Sequence, residues 1–243
     1  MKAIRNIFAL GAAAALAACS ISGGNSGMDG VALDDLDRGG DPPSHIALQG
    51  VDNVIVERGD SFDVAASGDA DILETLRFER DGDTLRIGRD RDGFSLGDGA
   101  TITVTVPMVD RLSVSGSGRM SSAILAPEAR IVVSGSGRVE TAGIDVRSLD
   151  IAISGSGEYV ASGSADELDI RVSGSGDAEL GELQVETATI AVSGSGDVDL
   201  SSNGAVSAGI SGSGDVTVTG NAECAHSISG SGTMTCNGVE FES

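Results

Sequence analysis

The sequence predicts an all-β protein, a single-stranded β-helix or β-solenoid with rungs of about 18–20 residues. The tetrapeptide Ser-Gly-Ser-Gly occurs seven times, always after a valine or isoleucine. A fixed interval of this size indicates repeats that stack only on their neighbours. Apolar and polar residues alternate around each copy, as in strands with one buried face. The tetrads begin at Ser115, Ser134, Ser154, Ser173, Ser193, Ser211 and Ser229.

Residue parity around each tetrad predicts which side chains face the core. Mostly apolar residues stand three and one positions before its first serine, and five positions after it. In an extended chain these offsets share one face, together with both glycines, whereas both serines lie on the other. We expect glycine where the two walls of a narrow corner converge, or where φ turns positive. The tetrad is therefore interpreted mainly as a corner, in preference to a binding loop.

The outward serines form the candidate interaction face. Their hydroxyls recur at the rung spacing of roughly 4.8 Å and can form a ladder along the solenoid. The predicted face comprises Ser115, Ser134, Ser154, Ser173, Ser193, Ser195, Ser211 and Ser229.

The chain divides into four predicted segments. Residues 1–18 have a basic start and a short apolar run typical of a signal peptide, and "LAAC" resembles a lipobox that makes Cys19 a lipid-modified N-terminus. An ordinary signal peptide is the alternative. Residues 19–43 are rich in Gly, Ser and Asp and are interpreted as a flexible tether. Residues 44–107 form a small β region, and residues 108–243 carry the repeats.

Both ends of a solenoid require caps, because an open end invites strand addition. The β region at 44–107, which includes a hairpin signal near Gly82, is expected to cover the N-terminal end. At the other end, Cys224 and Cys236 lie on core parity around the last tetrad. They are an even pair in an oxidising compartment once Cys19 is lipidated, so we predict a disulfide.

Composition argues against several functions. The formal net charge is −22, the only lysine is Lys2, and the last arginine is Arg171. Nucleic-acid binding needs phosphate neutralisation and is not expected. The chain has no tryptophan and one tyrosine, which poorly supplies a stacking platform for sugars or bases. Glycoside cleavage by carboxylates on neighbouring rungs is an alternative, but aromatic subsites are missing. We therefore predict a protein without enzymatic activity.

Acidic residues follow the later tetrads and form a predicted carboxylate ladder. Asp177, Asp197 and Asp215 would stack one rung apart, with Asp199 two residues further on the same face. Like charges at this spacing repel, and Ca²⁺ or Mg²⁺ could relieve the repulsion. The alternative is a solvated acidic face that keeps the rod soluble. We expect no cofactor, with weak Ca²⁺ or Mg²⁺ binding as the alternative.

Several stretches together resemble a known bacterial family. They are a lipobox, "QGVDNVIVERGD", "DGDTLRIGRD", "ITVTVP" and the repeated "VSGSGD". Over about residues 44–236 the chain is similar to the head GIN domain, also called the auto-transporter adhesin head. The GIN signature is represented loosely by Gly50-Val51-Asp52-Asn53. The resemblance implies a β-helical fold and a cell-envelope location, with no established catalytic residues.

The sequence thus predicts an outer-membrane lipoprotein, on the periplasmic or the surface side, that displays an adhesin-like interaction domain. Its expected partners are the membrane, through the N-terminal lipid, and an unknown protein or glycan. The alternatives are a structural envelope component that self-associates, as a homo-oligomer, and a weak binder of divalent cations.

Overall fold

The computed structural model describes residues 27–90 and 99–243. The predicted signal peptide, Cys19 and the first part of the tether lie outside the described residues. The first eight strands are β1 (His45–Gly50), β2 (Asn53–Arg58), β3 (Asp63–Ser67), β4 (Leu76–Asp81), β5 (Thr84–Arg89), β6 (Thr101–Val106), β7 (Arg111–Gly116) and β8 (Arg119–Ser122).

The remaining strands carry six of the seven tetrads. Several of them are long, because they run through the bend between the two faces of the solenoid. They are β9 (Glu128–Gly135), β10 (Arg138–Gly155), β11 (Glu158–Gly174), β12 (Asp177–Gly194), β13 (Val198–Gly212), β14 (Val216–Gly220), β15 (Glu223–Gly230), β16 (Met234–Cys236) and β17 (Val239–Phe241). A 3₁₀ turn at Leu33–Asp35 and a helical turn at Ala70–Leu73 are the helical elements of the described residues.

The strands form a parallel β-solenoid of about seven turns, which confirms the predicted fold class. On one face the order is β5, β1, β7, β9, then the second half of each later rung to β15. On the other face it is β6, β2, β8, then the first half of each later rung to β16. Each rung therefore pairs through its backbone with the rungs on either side.

At the N-terminal end, the order of the strands in the solenoid differs from their order in the chain. β1 and β2 form a rung inserted between the rung of β5 and β6 and the rung of β7 and β8. Beyond that outermost rung, β4 pairs antiparallel with β5 and β3 pairs antiparallel with β6. The β4–β5 hairpin turns at Gly82, whose φ is +59°, as its sequence signal predicts. Residues 44–107 thus cap the solenoid with strands of the same sheet.

The core consists of apolar columns that run along the solenoid axis. The predicted positions around the tetrads are buried in every rung up to Ile210, and Tyr159, Phe78 and Met120 are among the largest fully buried side chains. The Tyr159 hydroxyl shares a 2.7 Å hydrogen bond with Thr141 Oγ1. Burial raises the pKa of Tyr159, so the phenol stays neutral as a core group.

The two glycines of each tetrad have different roles, which corrects the expectation that both face inward. The second glycine is buried in all seven copies; a Cβ on Gly196 would lie 2.8 Å from Val172 Cγ1. The first glycine is not buried, and its φ is positive, from +105° at Gly135 to +136° at Gly194. Strict alternation of inward and outward residues fails at the first glycine because the chain turns there. The narrow corner therefore requires the second glycine, and the positive φ requires the first.

The C-terminal end is closed by a disulfide and a short hairpin. Cys224 and Cys236 are bonded, with Cα atoms 6.5 Å apart. Asn237 and Gly238, both with positive φ, turn the chain so that β17 pairs antiparallel with β16. His226 occupies a column position, but it is exposed and its ring lies 4.5 Å from that of Phe241. His226 is exposed at this column position because the last rung has no further rung to bury it.

Candidate interaction surface

The tetrad serines form a continuous exposed strip, which we call the serine rim: the first and second serines of all seven tetrads. Both serines are exposed in each copy, including Ser193 and Ser195 at the centre. The corner geometry places them there, because the first glycine turns the chain and the second points into the core. The structure therefore places every serine of the predicted interaction face on one edge of the solenoid.

Backbone hydrogen bonds hold the rim, and its hydroxyls take no part in them. The N–H of the second serine donates to the carbonyl of the first glycine one rung before; Ser195 N lies 2.8 Å from Gly174 O, and the other tetrads repeat this contact. Over the described residues, no tetrad hydroxyl makes a hydrogen bond with another protein group. The predicted ladder is thus a ladder of backbone groups, and the hydroxyls face solvent.

Next to the rim lies the column of aspartates that was predicted as a carboxylate ladder. Asp177 Oδ1 accepts the N–H of Asp197 at 2.9 Å, and Asp197 Oδ1 accepts the N–H of Asp215 at 2.8 Å. Asp215 Oδ1 accepts both the N–H and the hydroxyl of Thr233. Each carboxylate therefore satisfies a backbone donor of the next rung, and this contact offsets the repulsion within the column.

In the earlier rungs, the N–H of the residue after the tetrad has a different acceptor. There the residue after the tetrad donates its N–H to the second glycine of the preceding rung, as Glu158 N does to Gly137 O at 2.9 Å. From Asp197 onward, the side chain of the preceding aspartate replaces that carbonyl. Aspartate after a tetrad therefore has a structural role in these rungs. Sequence parity alone does not reveal it, because the contact joins neighbouring rungs.

A second acidic column, formed by Glu179 and Asp199, lies two residues after the first column in the chain. It borders a shallow groove of about 830 Å³. The pKa of Glu179 is raised, because the nearby Glu158 carboxyl hydrogen-bonds it and repels its charge. The pKa of Asp199 is raised mainly by partial burial. Glu158 itself forms an ion pair with Arg138. The groove is therefore strongly anionic, with Asp177, Asp197 and Asp215 along the same wall.

The four residues predicted as metal ligands are brought to one face, but in two columns. Asp199 belongs to the second column and the other three to the first. Within residues 27–90 and 99–243, no group of three or more His, Cys, Asp or Glu is arranged to hold a metal ion. Weak binding of Ca²⁺ or Mg²⁺ by Asp177, Asp197, Asp199 and Asp215 stays the untested alternative.

One buried ion pair was missed by sequence reasoning. The register of β1 and β2 with β7 and β8 places Asp52 at the position of the second glycine of a tetrad. Asp52 is fully buried and accepts hydrogen bonds from Arg89 Nε and from Ala100 N, at 3.0 and 2.8 Å. Arg89 and Ala100 flank residues 91–98, so one carboxylate ties both sides of that segment. The sequence does give one indication of this pair, because Asp52 is a charged residue at a position that alternation assigns to the core.

The corner at Gly50–Asn53 is also the position of the GIN signature. Gly50 has φ +125° and pairs with Gly116, the first glycine of the first tetrad. A family model described as "Putative auto-transporter adhesin, head GIN domain" matches residues 42–222. This chain belongs to the head GIN domain family. The family description indicates an adhesin-like protein of the cell envelope or exterior. No curated protein matches the chain.

Solved structures of low sequence identity share the fold. A "putative adhesin" from Bacteroides fragilis is 19% identical, with a TM-score of 0.70 over 82% of this chain and 94% of that one. A "putative lipid binding protein" from Parabacteroides distasonis is 23% identical, with a TM-score of 0.64 over 80% and 92%. A "putative adhesin" from Parabacteroides merdae is 16% identical, with a TM-score of 0.60 over 80% and 92%.

The described segments, 27–90 and 99–243, hold no helix that is long and apolar enough to cross a membrane.

Proposed function

We propose that this head GIN domain protein is a non-enzymatic lipoprotein of the cell envelope whose serine rim binds a protein or glycan partner. The observation that carries the proposal is the rim itself. It presents fourteen exposed serines, two in each of the seven tetrads, whose hydroxyls make no hydrogen bond with another group of residues 27–90 and 99–243. The ladder beneath it fixes their spacing at about 4.8 Å per rung. Such an array suits recognition of an extended polar surface, because little conformational entropy is lost on binding.

The remaining surface supports a polar contact more than an apolar one. Among the described residues, five large apolar side chains are exposed, and they belong to different segments of the chain: Val31, Val51, Ile55, Met108 and Val239. Isolated apolar residues of this kind are ordinary on a monomer surface. A partner recognised by the rim would therefore be bound mainly through hydrogen bonds to serine hydroxyls.

The test is capture from an envelope fraction of the cells that make the protein, with mass spectrometry and glycan analysis of what is retained. Ser195→Arg fills the centre of the rim with a long charged side chain. Ser207→Arg is the matched control, because Ser207 is also exposed but lies off the rim. We expect the partner to be retained by the native protein and by Ser207→Arg, and lost with Ser195→Arg. Equal retention by both variants, or no specific retention at all, would refute binding through the rim.

The membrane anchor requires a separate test, because Cys19 lies outside the described residues. We propose that Cys19 carries the lipid that attaches the protein to the outer membrane. Two or more acyl chains give stable anchoring, whereas one gives marginal binding. Cys19→Ser should move the protein from the membrane fraction to the soluble fraction after cell disruption. Retention of the variant in the membrane fraction, with intact-protein mass spectra showing no acyl mass on the native protein, would contradict the proposal.

A further inference from the structure

The column of residues that follows the tetrads changes charge along the solenoid. Its acidic part begins at Glu158 and continues as the aspartate column described above. Before Glu158 the same column holds Asn53, Arg119 and Arg138, which are register neighbours on β2, β8 and β10. Arg119 and Arg138 directly follow the first two tetrads in the chain. The N-terminal end of the serine rim is therefore bordered by two guanidinium groups, and its later part by carboxylates.

These two arginines differ in their contacts. Arg138 forms an ion pair with Glu158 on the next rung, and its Nε lies 4.0 Å from Glu140 Oε2. Arg119 is exposed, and its side chain makes no hydrogen bond or ion pair with any group of residues 27–90 and 99–243. Neighbouring strands lie about 4.8 Å apart, and like charges at that spacing repel. Within this part of the chain, Arg119 is thus a cation beside another cation, with no carboxylate partner of its own.

Arg119 borders a hollow of about 230 Å³, and other polar groups around this hollow are also unengaged. Asn53 and Ser121 line it and are partly exposed, and neither side chain makes a hydrogen bond within the described segments. Arg138 lines the same hollow, and Glu140 is the one acidic residue among its described lining residues. Hydrogen-bond donors therefore outnumber carboxylates here, on a protein whose net charge is −22.

We infer that Arg119, with Asn53 and Ser121 beside it, binds a carboxylate or phosphate group of an acidic glycan. A guanidinium donates two parallel hydrogen bonds to either group, and the amide and the hydroxyl supply further donors. Arg138 adds a second guanidinium, which its ion pair with Glu158 holds in place. The inference rests on the proposed function, because the site borders the N-terminal end of the rim, and it names the chemistry of the rim's partner.

The side chains around the hollow favour an acidic glycan over a protein or a neutral glycan. Protein partners gain most of their affinity from large anchors in desolvated pockets, and Ile55 is the one exposed large apolar residue described at this hollow. A neutral glycan would need a stacking platform, but the chain has no tryptophan and its one tyrosine, Tyr159, is buried. Charge-assisted hydrogen bonds to an anionic group require no such platform.

The net negative charge does not prevent this binding. Asp177 is three strands from Arg119, about 14 Å at the strand spacing, whereas the Debye length at 0.15 M salt is about 8 Å. Repulsion from the aspartate column is therefore largely screened at Arg119. The later tetrads lie closer to the carboxylates, so the anionic group is expected at the N-terminal end of the rim.

The experiment is biolayer interferometry with glycans from the envelope of the cells that make the protein, freed of protein and lipid and separated by anion exchange into neutral and acidic fractions. Arg119→Gln removes the unpaired guanidinium. Arg111→Gln is the matched control: Arg111 is also exposed, makes no side-chain hydrogen bond or ion pair in the described segments, and lies on the face of β1 and β7. We expect the native protein and the control to prefer the acidic fraction, and Arg119→Gln to raise the half-saturating concentration about tenfold or more.

No binding to the acidic fraction, no preference for it, or equal affinity of the two arginine variants would overturn the inference. Vesicles with and without phosphatidylglycerol test the other source of an anionic group. Binding that depends on Arg119 but occurs only with phosphatidylglycerol vesicles would also overturn it, because the group would then belong to a lipid. Circular dichroism spectra that match between variants confirm that each remains folded.

Ser195→Arg separates this inference from the proposed function. A partner lost with Ser195→Arg but kept by Arg119→Gln would refute the arginine site and leave the rim proposal intact. Acidic glycan binding lost with Arg119→Gln but kept by Ser195→Arg would support the arginine site and refute binding through the rim.

Discussion

The corner of the rung formed by β1 and β2 and the seven tetrad corners occupy equivalent places in the solenoid but use different residues. In each tetrad, the second glycine is buried, and a Cβ there would meet the backbone of the preceding rung. At the first corner the equivalent residue is Asp52, with its carboxylate between Arg89 and Ala100. Beyond that corner, β5 ends at Arg89 and β6 begins at Thr101, and the sequence between them contains no Ser-Gly-Ser-Gly tetrad. A regular stack thus requires glycine, and an irregular end accommodates a buried charge.

The position of the aspartates sharpens the same contrast. Asp52 is buried and joins two separate segments of the N-terminal end. Asp177, Asp197 and Asp215 are exposed, and each holds one N–H of the next rung. Removing a carboxylate should therefore cost far more at the first corner than in the repeats.

The largest effect is expected from Asp52→Ala. It removes the bidentate contact with the buried guanidinium of Arg89 and the acceptor for the buried N–H of Ala100. Loss of one partner of a buried ion pair destabilises a protein by about 3–5 kcal/mol. Urea unfolding monitored by circular dichroism gives the free energy of unfolding. Asp63→Ala, which removes the exposed contact with Arg38, is the control and should cost no more than about 1 kcal/mol. Equal losses for the two variants would show that the first corner has no special role.

A substitution in a tetrad should come next. Gly194 has φ +136°, and a Cβ there would lie 2.1 Å from Gly174 O. Gly194→Ala should therefore lower the free energy of unfolding by about 2–4 kcal/mol, from backbone strain and overpacking together.

Gly209→Ala provides the control for that substitution, because its Cβ would find no atom nearer than Ile190 O at 3.9 Å. Gly209 lies in a regular strand, so this change should be neutral or slightly stabilising. If both alanine variants unfold at the same denaturant concentration, the corner does not require glycine.

A smaller effect is expected in the aspartate column. Asp197→Ala leaves the N–H of Asp215 without its acceptor and should cost about 0.5–1.5 kcal/mol. Asp197→Asn keeps an oxygen at the same place and should retain most of that stability. Thermal unfolding of the two variants separates hydrogen bonding from charge. If the Asn variant is as unstable as the Ala variant, the negative charge, and not the hydrogen bond, holds the column.

Glu179, in the second acidic column, should destabilise the fold at neutral pH, whereas Asp197 stabilises it. The raised pKa of Glu179 means that its ionised form is disfavoured in the folded state. Its contribution therefore weakens the fold at pH 7, and the penalty disappears as pH falls through the raised pKa. Glu179→Gln should raise the thermal midpoint slightly at pH 7 and leave it unchanged near pH 4. Glu167→Gln is the control, because its register neighbours, Ser148 and Thr187, are uncharged. A midpoint gain that persists at low pH would contradict this explanation.

The smallest effect should come from divalent cations. Each aspartate of the first column already uses Oδ1 to accept a backbone N–H. Millimolar CaCl₂ or MgCl₂ should therefore raise the thermal midpoint no further than NaCl at equal ionic strength. Binding to the native state alone would raise it by mass action. A clear rise specific to the divalent salts would establish the alternative of a cation site at Asp177, Asp197, Asp199 and Asp215.

The period of the solenoid, the core columns and the outward direction of the serines are all predictable from the sequence. These properties follow from residue parity within one rung, which is local. The disulfide was also predictable, because Cys224 and Cys236 are the remaining pair of cysteines and both lie on core parity. The hairpin at Gly82 was predicted for the same reason, because its turn residues are contiguous.

The contacts between rungs are not predictable in the same way, because they depend on how distant parts of the chain come together. The insertion of β1 and β2 between later strands, the Asp52–Arg89 pair and the hydrogen bonds of the aspartate column all join residues far apart in the chain. The separate roles of the two glycines also depend on the backbone of the neighbouring rung, which parity does not describe. Exposure of His226 follows from the last rung having a neighbour on one side only.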